Sequence, residues 1–487
     1  MRKQQMNTPQ GIQLELNFNG IDGNRFKEHL ANGDFTVLIE THAPPGNIKK
    51  EDAGELGTEL EYTVSARTKI FAALAFTDRW SYANAMDNVE YASMICPRER
   101  DRHVLFLSGR MKTTDELLAV AGHAQNEGFR NIVPVSGKTN REDSLRSLHS
   151  GKTFFTESVP VLQALQEKFG NSLFCGCTVN PFQYTAPAVL AQTGKFMKKV
   201  SCGASFAIGS YGWDLKKLQE LRCSLFRRGR TIPLISGFMM LTADYAEEIC
   251  AGKVPGVHLS PDLQLMLRQE GMHSAAQFEA AQLRRLQIHA AGAKFLGCSG
   301  LILSHVEKPA QAESLLRRIE EALEEFSTFE EWYSAYCEYY GRLDMAPYPY
   351  RFYAFEDLLQ KLYTAELPDV TTVEFPQETF FNRMRKSLLE KLFADADKLP
   401  SSERILTKKF LASCRSCSNC RLPLTGFVCP ERCPKKMANG PCGNALADGS
   451  CFHTGKECIF AECVRYAVAK NDFSFLEEII ARQGTER

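Results

Sequence analysis

Nine of the chain's 17 cysteines fall within its last 75 residues: Cys414, Cys417, Cys420, Cys429, Cys433, Cys442, Cys451, Cys458 and Cys463. The first three are spaced C-x2-C-x2-C, and a proline follows both Cys429 and Cys433. Thiolates this dense in a loop-rich stretch call for a common bonding partner. A second chemical signal lies far upstream. An apolar run ends at Glu40 and continues as ETHAPPGN, with Pro44-Pro45 stiffening the loop behind the carboxylate. A carboxyl so placed suits a general acid, and partial burial is expected to tune it towards neutral pH.

The thiolate spacing resembles the opening of bacterial ferredoxin cluster motifs, in which a further Cys-Pro completes four iron ligands. Cys429-Pro430 or Cys433-Pro434 serves that purpose here, and two [4Fe-4S] clusters would use eight thiolates and leave one spare. Zinc is the alternative. It needs four tetrahedral ligands per ion, drawn from the thiolates or His453, and pairs such as Cys417/Cys420 suit it.

The cellular setting favours a metal over disulfides. The N-terminal MRKQQMNTPQ has no apolar core of a signal peptide, and no run approaches the roughly 18–20 apolar residues of a membrane span. The chain therefore reads as cytoplasmic, where thiols stay reduced. Lys+Arg and Asp+Glu are each 58, and a formal charge of zero removes the basic footprint of a nucleic-acid binder.

What must position Glu40 is a series of strand-like runs at 35–40, 69–77, 103–109, 131–137, 173–180, 205–210, 231–238 and 295–305, separated by amphipathic helical patterns. Eight β-α units predict an all-parallel (β/α)8 TIM-type barrel over residues 1–326. A doubly wound sheet is disfavoured, since no Gly-x-Gly-x-x-Gly turn follows the first strand. The strand ends Glu40, Thr77, Ser108, Ser136, Thr178, Ser210 and Ser236 would then form the active face. Cys175 and Cys177 on the fifth strand read as small core residues. Residues 327–411, rich in aromatics, are expected to form a helical bridge against the barrel. Residues 412–487 form the small cysteine-rich metal-binding domain.

ETHAPPGN resembles the strand-one acid and Pro-Pro loop of the methylenetetrahydrofolate reductase family. NEGFRNIVPVSG, KKVSCGASFAIGSYGWD and ISGFMMLT are similar to later segments of that family's barrel. CRSCSNCRLP through VCPERCPKKMANGPCG resembles the C-terminal domain attached to some of these reductases, which in acetogen-type complexes is a separate electron-transfer subunit. The resemblance implies a flavin-dependent oxidoreductase with FAD or FMN on the barrel's C-terminal face. It implies Glu40 as proton donor, Lys199 near the flavin phosphate, and Thr77, Ser108 and Gly137 along the flavin. Lys138 replaces a family acid beside the pterin, Ser210 replaces a glutamine, Tyr211-Gly212-Trp213 replaces Phe-Phe-Phe, and Phe106 replaces a histidine. Lys138, Ser210, Tyr211 and Trp213 are thus the expected substrate-binding positions. Gln192 and Lys195 replace an Asp and an Asn near the flavin tail, which favours FMN over FAD.

The expected function is reduction of a methylene-tetrahydrofolate-type substrate to the methyl form, with electrons relayed through the cysteine-rich domain from a redox partner protein or NAD(P)H. A related reductase acting on another small molecule, such as an aromatic or benzylic ether, is the alternative. A non-catalytic folate-binding or docking subunit is a third reading. No nucleic acid or membrane is expected as partner, and an oligomer is allowed.

Overall fold

The computed structural model describes residues 23–480, apart from 46, 79–85, 139–141, 143, 147–153, 307, 364–365, 374, 376–379, 394–404, 416 and 418–419. Eight parallel strands close into a barrel in chain order: β1 (Thr36–His42), β2 (Phe71–Thr77), β3 (Val104–Ser108), β4 (Asn131–Val135), β5 (Phe174–Val179), β6 (Phe206–Tyr211), β7 (Leu234–Met239) and β8 (Gly300–Ser304). β1 pairs with both β2 and β8, so the sheet has no free edge. Helices α1 (Arg25–Asn32), α2 (Lys50–Ala66), α3 (Asn88–Ile95), α4 (Thr114–Asn126), α5 (Ser158–Phe169), α6 (Ala186–Ser201) and α7 (Leu215–Phe226) accompany the first strands. They are followed by α8 (Ala243–Cys250), α9 (Pro261–His273), α10 (Ala275–Phe295) and α11 (Pro309–Glu325). This is the expected (β/α)8 barrel.

Alternation along each strand sorts the side chains. Leu38, Ala73, Phe106, Val133, Ile208, Ile235 and Ile302 fill the barrel interior. Val37, Ile39, Leu74, Phe76, Leu105 and Leu107 pack outward against the helices. The bottom of the barrel is plugged by α1. Its Phe26 meets Phe174 and Phe206, the first residues of β5 and β6, edge-on at 6.2 and 5.1 Å. Gly176 makes room for this packing, since a Cβ there would lie 2.4 Å from the Phe206 ring. Open space is thereby confined to the C-terminal ends of the strands. Cys175 and Cys177 face outward and are fully buried, and burial pushes their thiols up to about 12 and about 11, so they are inert core residues. Ser236 also faces outward, with its Oγ 3.1 Å from His289 Nε2, and the alternation removes it from the expected active face.

Beyond the barrel, α12 (Phe329–Tyr340) buries Trp332, whose Nε1 donates to Ile288 O in α10 at 2.9 Å. The described residues of 341–373 form no helix, which departs from the expected helical bridge in that stretch. The later helices α13 (Phe380–Phe393) and α14 (Ile405–Ala412) lie against the cysteine-rich unit, where Arg385 pairs with Glu462 at 2.7 Å. In that unit α15 (Ile459–Lys470) and the short α16 (Ser474–Glu477) pack on α6. A Cβ on Gly194 of α6 would lie 2.7 Å from Leu476 O, so glycine permits this close approach. Among the described residues no helix is long and apolar enough to cross a membrane.

The cysteine-rich unit covers the open end of the barrel. Glu157, at the N-cap of α5, is 1% exposed and accepts from the N–H groups of Ala438 (3.1 Å) and Asn439 (2.9 Å) and from Asn439 Nδ2 (3.1 Å). Lys195 Nζ lies 3.5 Å from the same carboxylate. Asn180 Nδ2 donates to Gly443 O at 2.7 Å, and His453 Nδ1 lies 2.9 Å from Ser144 Oγ. A Cβ on Gly256 would meet Gly443 O at 2.3 Å, a second close approach across the seam. Replacing Glu157 by Ala strands two buried N–H groups and a buried ammonium, and is expected to cost about 3–5 kcal/mol. Thermal melting and limited proteolysis check this: the variant should melt earlier and lose its cysteine-rich unit faster, and unchanged melting and cleavage would refute it.

Candidate active site

The open end of the barrel encloses a cavity of about 360 Å3. Its walls come from all eight strands and the loops after them, from α6, and from residues 435 and 441–444 of the cysteine-rich unit. The expected residues Glu40, Thr77, Ser108, Gly137, Lys138, Lys199, Ser210 and Tyr211 all line this one space.

Glu40 projects inward from β1 at the centre of a hydrogen-bonded group. Its Oε2 accepts from the Tyr211 hydroxyl at 2.6 Å and from Ser304 Oγ, and its Oε1 accepts from Thr77 Oγ1 at 3.3 Å. Thr77 Oγ1 in turn lies 2.6 Å from His42 Nδ1. Tyr211 reaches Glu40 because the register slips between Ile208 and Tyr211, a bulge that turns both Ser210 and Tyr211 to the cavity. Burial alone would raise the Glu40 pKa. The charges of His42 and Lys138, with the Ser304 and Tyr211 hydrogen bonds, outweigh it and hold the carboxyl below the ordinary range. The expectation of a carboxyl tuned towards neutrality is corrected: the acid rests as a carboxylate.

Asp78, the next residue after β2, lines the same cavity and moves the opposite way. Burial pushes its pKa up and Asp87 adds to this against the charge of Lys112. No spacing pattern marks Asp78, and it was not among the expected residues. The same is true of His42, Ser304, Tyr245 and Lys435, which line the cavity together with Gln192 and Lys195, expected near the flavin tail, and Cys442, expected only as a metal ligand. Lys199 Nζ donates to Thr178 O at 2.6 Å, and burial lowers its pKa to about 8. Trp213 does not line the cavity. Past the bulge the chain turns outward, and Trp213 is buried edge-on to Phe238 at 6.4 Å.

The nine clustered cysteines separate into groups. Burial raises the thiols of Cys433, Cys451 and Cys458, and charge on neighbouring thiols adds to it: Cys442 and Cys451 act on Cys433, Cys442 acts on Cys451, and all three others act on Cys458. Cys442 is different. Burial opposes its ionisation, but a hydrogen bond from His453 and the charge of Lys435 bring the thiol down to about 6. Cys429 is raised first by its hydrogen bond with Cys414 and then by burial, and Cys420 packs in the same small core as Cys429. Cys463 stands apart, its Sγ 3.4 Å from Thr425 O. Among the described residues no three His, Cys, Asp or Glu side chains close into a ready-made metal site.

Parallel strands, surrounding helices and a polar cavity at the strand C-termini define a (β/α)8 barrel with its cavity at the end where such barrels carry their active sites. Residues 27–266 match the methylenetetrahydrofolate reductase family, and residues 393–485 match the family described as methylene-tetrahydrofolate reductase C terminal. Together these matches span about two thirds of the sequence, and the chain belongs to the methylenetetrahydrofolate reductase family. Membership makes it an oxidoreductase of a folate-related class whose members generally bind FAD. No curated protein matches it. Among solved structures it is similar to an uncharacterized protein from Clostridium thermocellum that binds two copies of 5-methyl-5,6,7,8-tetrahydrofolic acid. The TM-score is 0.45 and the identity 11%, over 62% of this chain and 99% of that one. N-acetylneuraminate lyase from Mycoplasma synoviae is more distant, at a TM-score of 0.34 and 9% identity over 63% and 83%.

Tyr211→Phe removes a donor to the Glu40 carboxylate and should raise its pKa. A depressed carboxyl stabilises the fold above its unfolded pKa, and that contribution is lost as pH falls through the folded pKa. The variant should therefore be about 1.5–3 kcal/mol less stable near neutrality. Melting curves taken at falling pH should show the gap closing once Glu40 is protonated in both proteins. A gap independent of pH would mean the hydroxyl does not act on Glu40.

Proposed function

We propose that the chain is a flavin-dependent reductase converting a methylene-tetrahydrofolate-type substrate to its methyl form, with electrons reaching the flavin through the cysteine-rich unit. The observation that carries this reading is one cavity shared by both family segments: Glu40 stands in its barrel wall, and Cys442 and Lys435 face it from the other side. Phe106, Val135, Ile208 and Ile302 supply apolar wall for a flat ring. The residues also fit the polar part of a flavin. Gln192 lines the cavity with a buried Oε1 that has no hydrogen-bond partner among the described residues, and Lys195 and Lys199 follow it on one face of α6. When bound, the flavin supplies the hydride.

The chain's own part is proton handling and orientation. Glu40 delivers the proton to the substrate nitrogen as the five-membered ring opens. Resting as a carboxylate, it must first take up that proton. Engagement of Lys138 by an anionic group of the substrate removes one of the charges that hold its pKa down. Asp78, shifted the other way in the same cavity, keeps a proton to higher pH, and the two carboxyls divide the roles of holder and acceptor. Ser210 and Tyr211 border the substrate. Thr77, Ser108 and Gly137 border the cofactor.

In the same reading Cys433, Cys442, Cys451 and Cys458 hold one metal centre and Cys414, Cys417, Cys420 and Cys429 a second, as iron–sulfur clusters or zinc. Cys463 is left as a core thiol. The loop-rich stretch 429–458 has little apolar core of its own and gains most from such a staple. The barrel is taken as residues 1–326 and the metal unit as 412–487, in the cytoplasm with a protein or NAD(P)H electron donor. Lys138, a cation acting on Glu40, also favours a second reading in which an acidic or phenolic small molecule, such as an aromatic ether, is the substrate.

Reoxidation of the reduced protein by methylene-tetrahydrofolate tests the first reading. Wild type should be reoxidised, and Glu40→Gln should slow the step by about 10²–10⁴-fold. A wild type that the folate leaves reduced refutes the folate reading, and reoxidation by an aryl ether would then support the second. Elemental analysis tests the ligand sets: Cys442→Ser and Cys458→Ser should each lower metal per chain, whereas Cys463→Ser should not.

A further inference from the structure

Charge is distributed unevenly around the cavity. The carboxyls Glu40 and Asp78 stand on β1 and just after β2. Three ammonium groups stand across the ring: Lys195 and Lys199 on α6, which follows β5, and Lys435 from the cysteine-rich unit. All three are at least 95% buried. Backbone carbonyls meet each of them: Gly440 O lies 3.2 Å from Lys195, Thr178 O 2.6 Å from Lys199, and Gly137 O 2.5 Å from Lys435. A carbonyl satisfies a donor without cancelling a charge. The carboxylate nearest them, Glu157 at 3.5 Å from Lys195, is already occupied by the N–H groups of Ala438 and Asn439.

Beside these amines sits Gln192, 7% exposed, with its Oε1 unpartnered among the described residues. An amide able to receive hydroxyl groups next to three buried cations is recognition chemistry for a phosphorylated polyol. The ribityl phosphate of a flavin is such a group, so a phosphate role for these amines rests on the flavin-dependent function proposed for the cavity. We propose that Lys435 is a phosphate-binding residue that the cysteine-rich unit lends to the barrel, completing with Lys195 and Lys199 a site for the flavin's phosphate. The cofactor is then held by both units at once, and neither unit alone presents the whole phosphate site.

A competing role for Lys435 is built into its surroundings. It lies two residues after Cys433, its charge acts on Cys442, and its Nζ sits 4.9 Å from the centre of the Phe155 ring. It therefore either serves the phosphate or serves the thiols and the packing, and riboflavin separates the two, because it keeps the ring and the ribityl chain and lacks the phosphate.

The full-length, metal-loaded chain, freed of flavin, is titrated with flavin mononucleotide and with riboflavin by fluorescence quenching. Wild type should prefer the mononucleotide. Lys435→Met, which keeps the aliphatic stem, should weaken mononucleotide binding by about tenfold or more, leave riboflavin affinity and metal content unchanged, and be rescued in part by Lys435→Arg. FAD locates the phosphate: a similar loss with FAD places Lys435 at the phosphate nearest the ribityl chain, and a loss with FAD alone overturns the proposal. Equal loss for riboflavin and the mononucleotide, loss of metal, or no change in either affinity also overturns it. A wild-type chain that binds no flavin refutes the underlying reading and the proposal together, whereas one that binds flavin indifferently to Lys435 refutes the proposal alone.

Discussion

The arrangement depends on a buried carboxylate that holds two parts of the chain together. Glu157 begins the helix after β4, and its oxygens are spent on backbone N–H groups of residues 438–439 and on the neighbourhood of Lys195. An ionised carboxylate with almost no solvent contact is tolerated only when it is fully hydrogen-bonded and charge-matched. The cysteine-rich unit supplies most of that compensation. Removing the unit would leave the barrel with an uncompensated charge and an open mouth. The interface therefore does electrostatic work as well as apolar work, and the cavity exists as a closed space because of it.

That cavity is organised as a gradient. Glu40 on β1 and Asp78 just after β2 stand on one side with His42 and Lys138 acting on Glu40, Lys195, Lys199 and Lys435 line another part of the wall, and apolar side chains complete it. In an enclosed space such fixed charges act more strongly than in water. Glu40 shows the consequence. It is surrounded by protein atoms, yet His42, Lys138 and the Ser304 and Tyr211 hydroxyls keep it ionised against burial. An acid in such a setting changes protonation state when a ligand rearranges its neighbours, which ties proton delivery to occupancy of the site.

Much of this was legible in the residues. Eight apolar runs with polar ends became eight strands, and Glu40, Thr77, Ser108 and Lys199 converge because the strand C-termini of a barrel share one face. Ser236 was misjudged because its run ends later than expected and the period-two alternation turns it outward. Trp213 lies off the cavity because β6 ends at Tyr211 and the chain turns outward beyond it, placing Trp213 against Phe238. The direction of the Glu40 shift was out of reach for another reason. Burial was foreseeable, but the sum of four opposing neighbours from β1, β6, β8 and the loop after β4 is a three-dimensional quantity. The place of Lys435 and Cys442 on the cavity wall is not legible in the sequence because it comes from contacts with the distant barrel, such as Lys435 with Gly137 O, 298 residues earlier.

The span bridged by Glu157 has a consequence for how the protein is made. Its partners Ala438 and Asn439 lie 281 and 282 residues further along the chain. At typical synthesis rates of about 5–20 residues per second, the last barrel strand, ending at Ser304, is made roughly 7–27 s before the loop that completes the mouth. During that interval the nascent barrel is an open cup, with the Glu157 carboxylate and the α6 lysines accessible to water. The doorway to the cavity is widest then, and a stretch made later closes it.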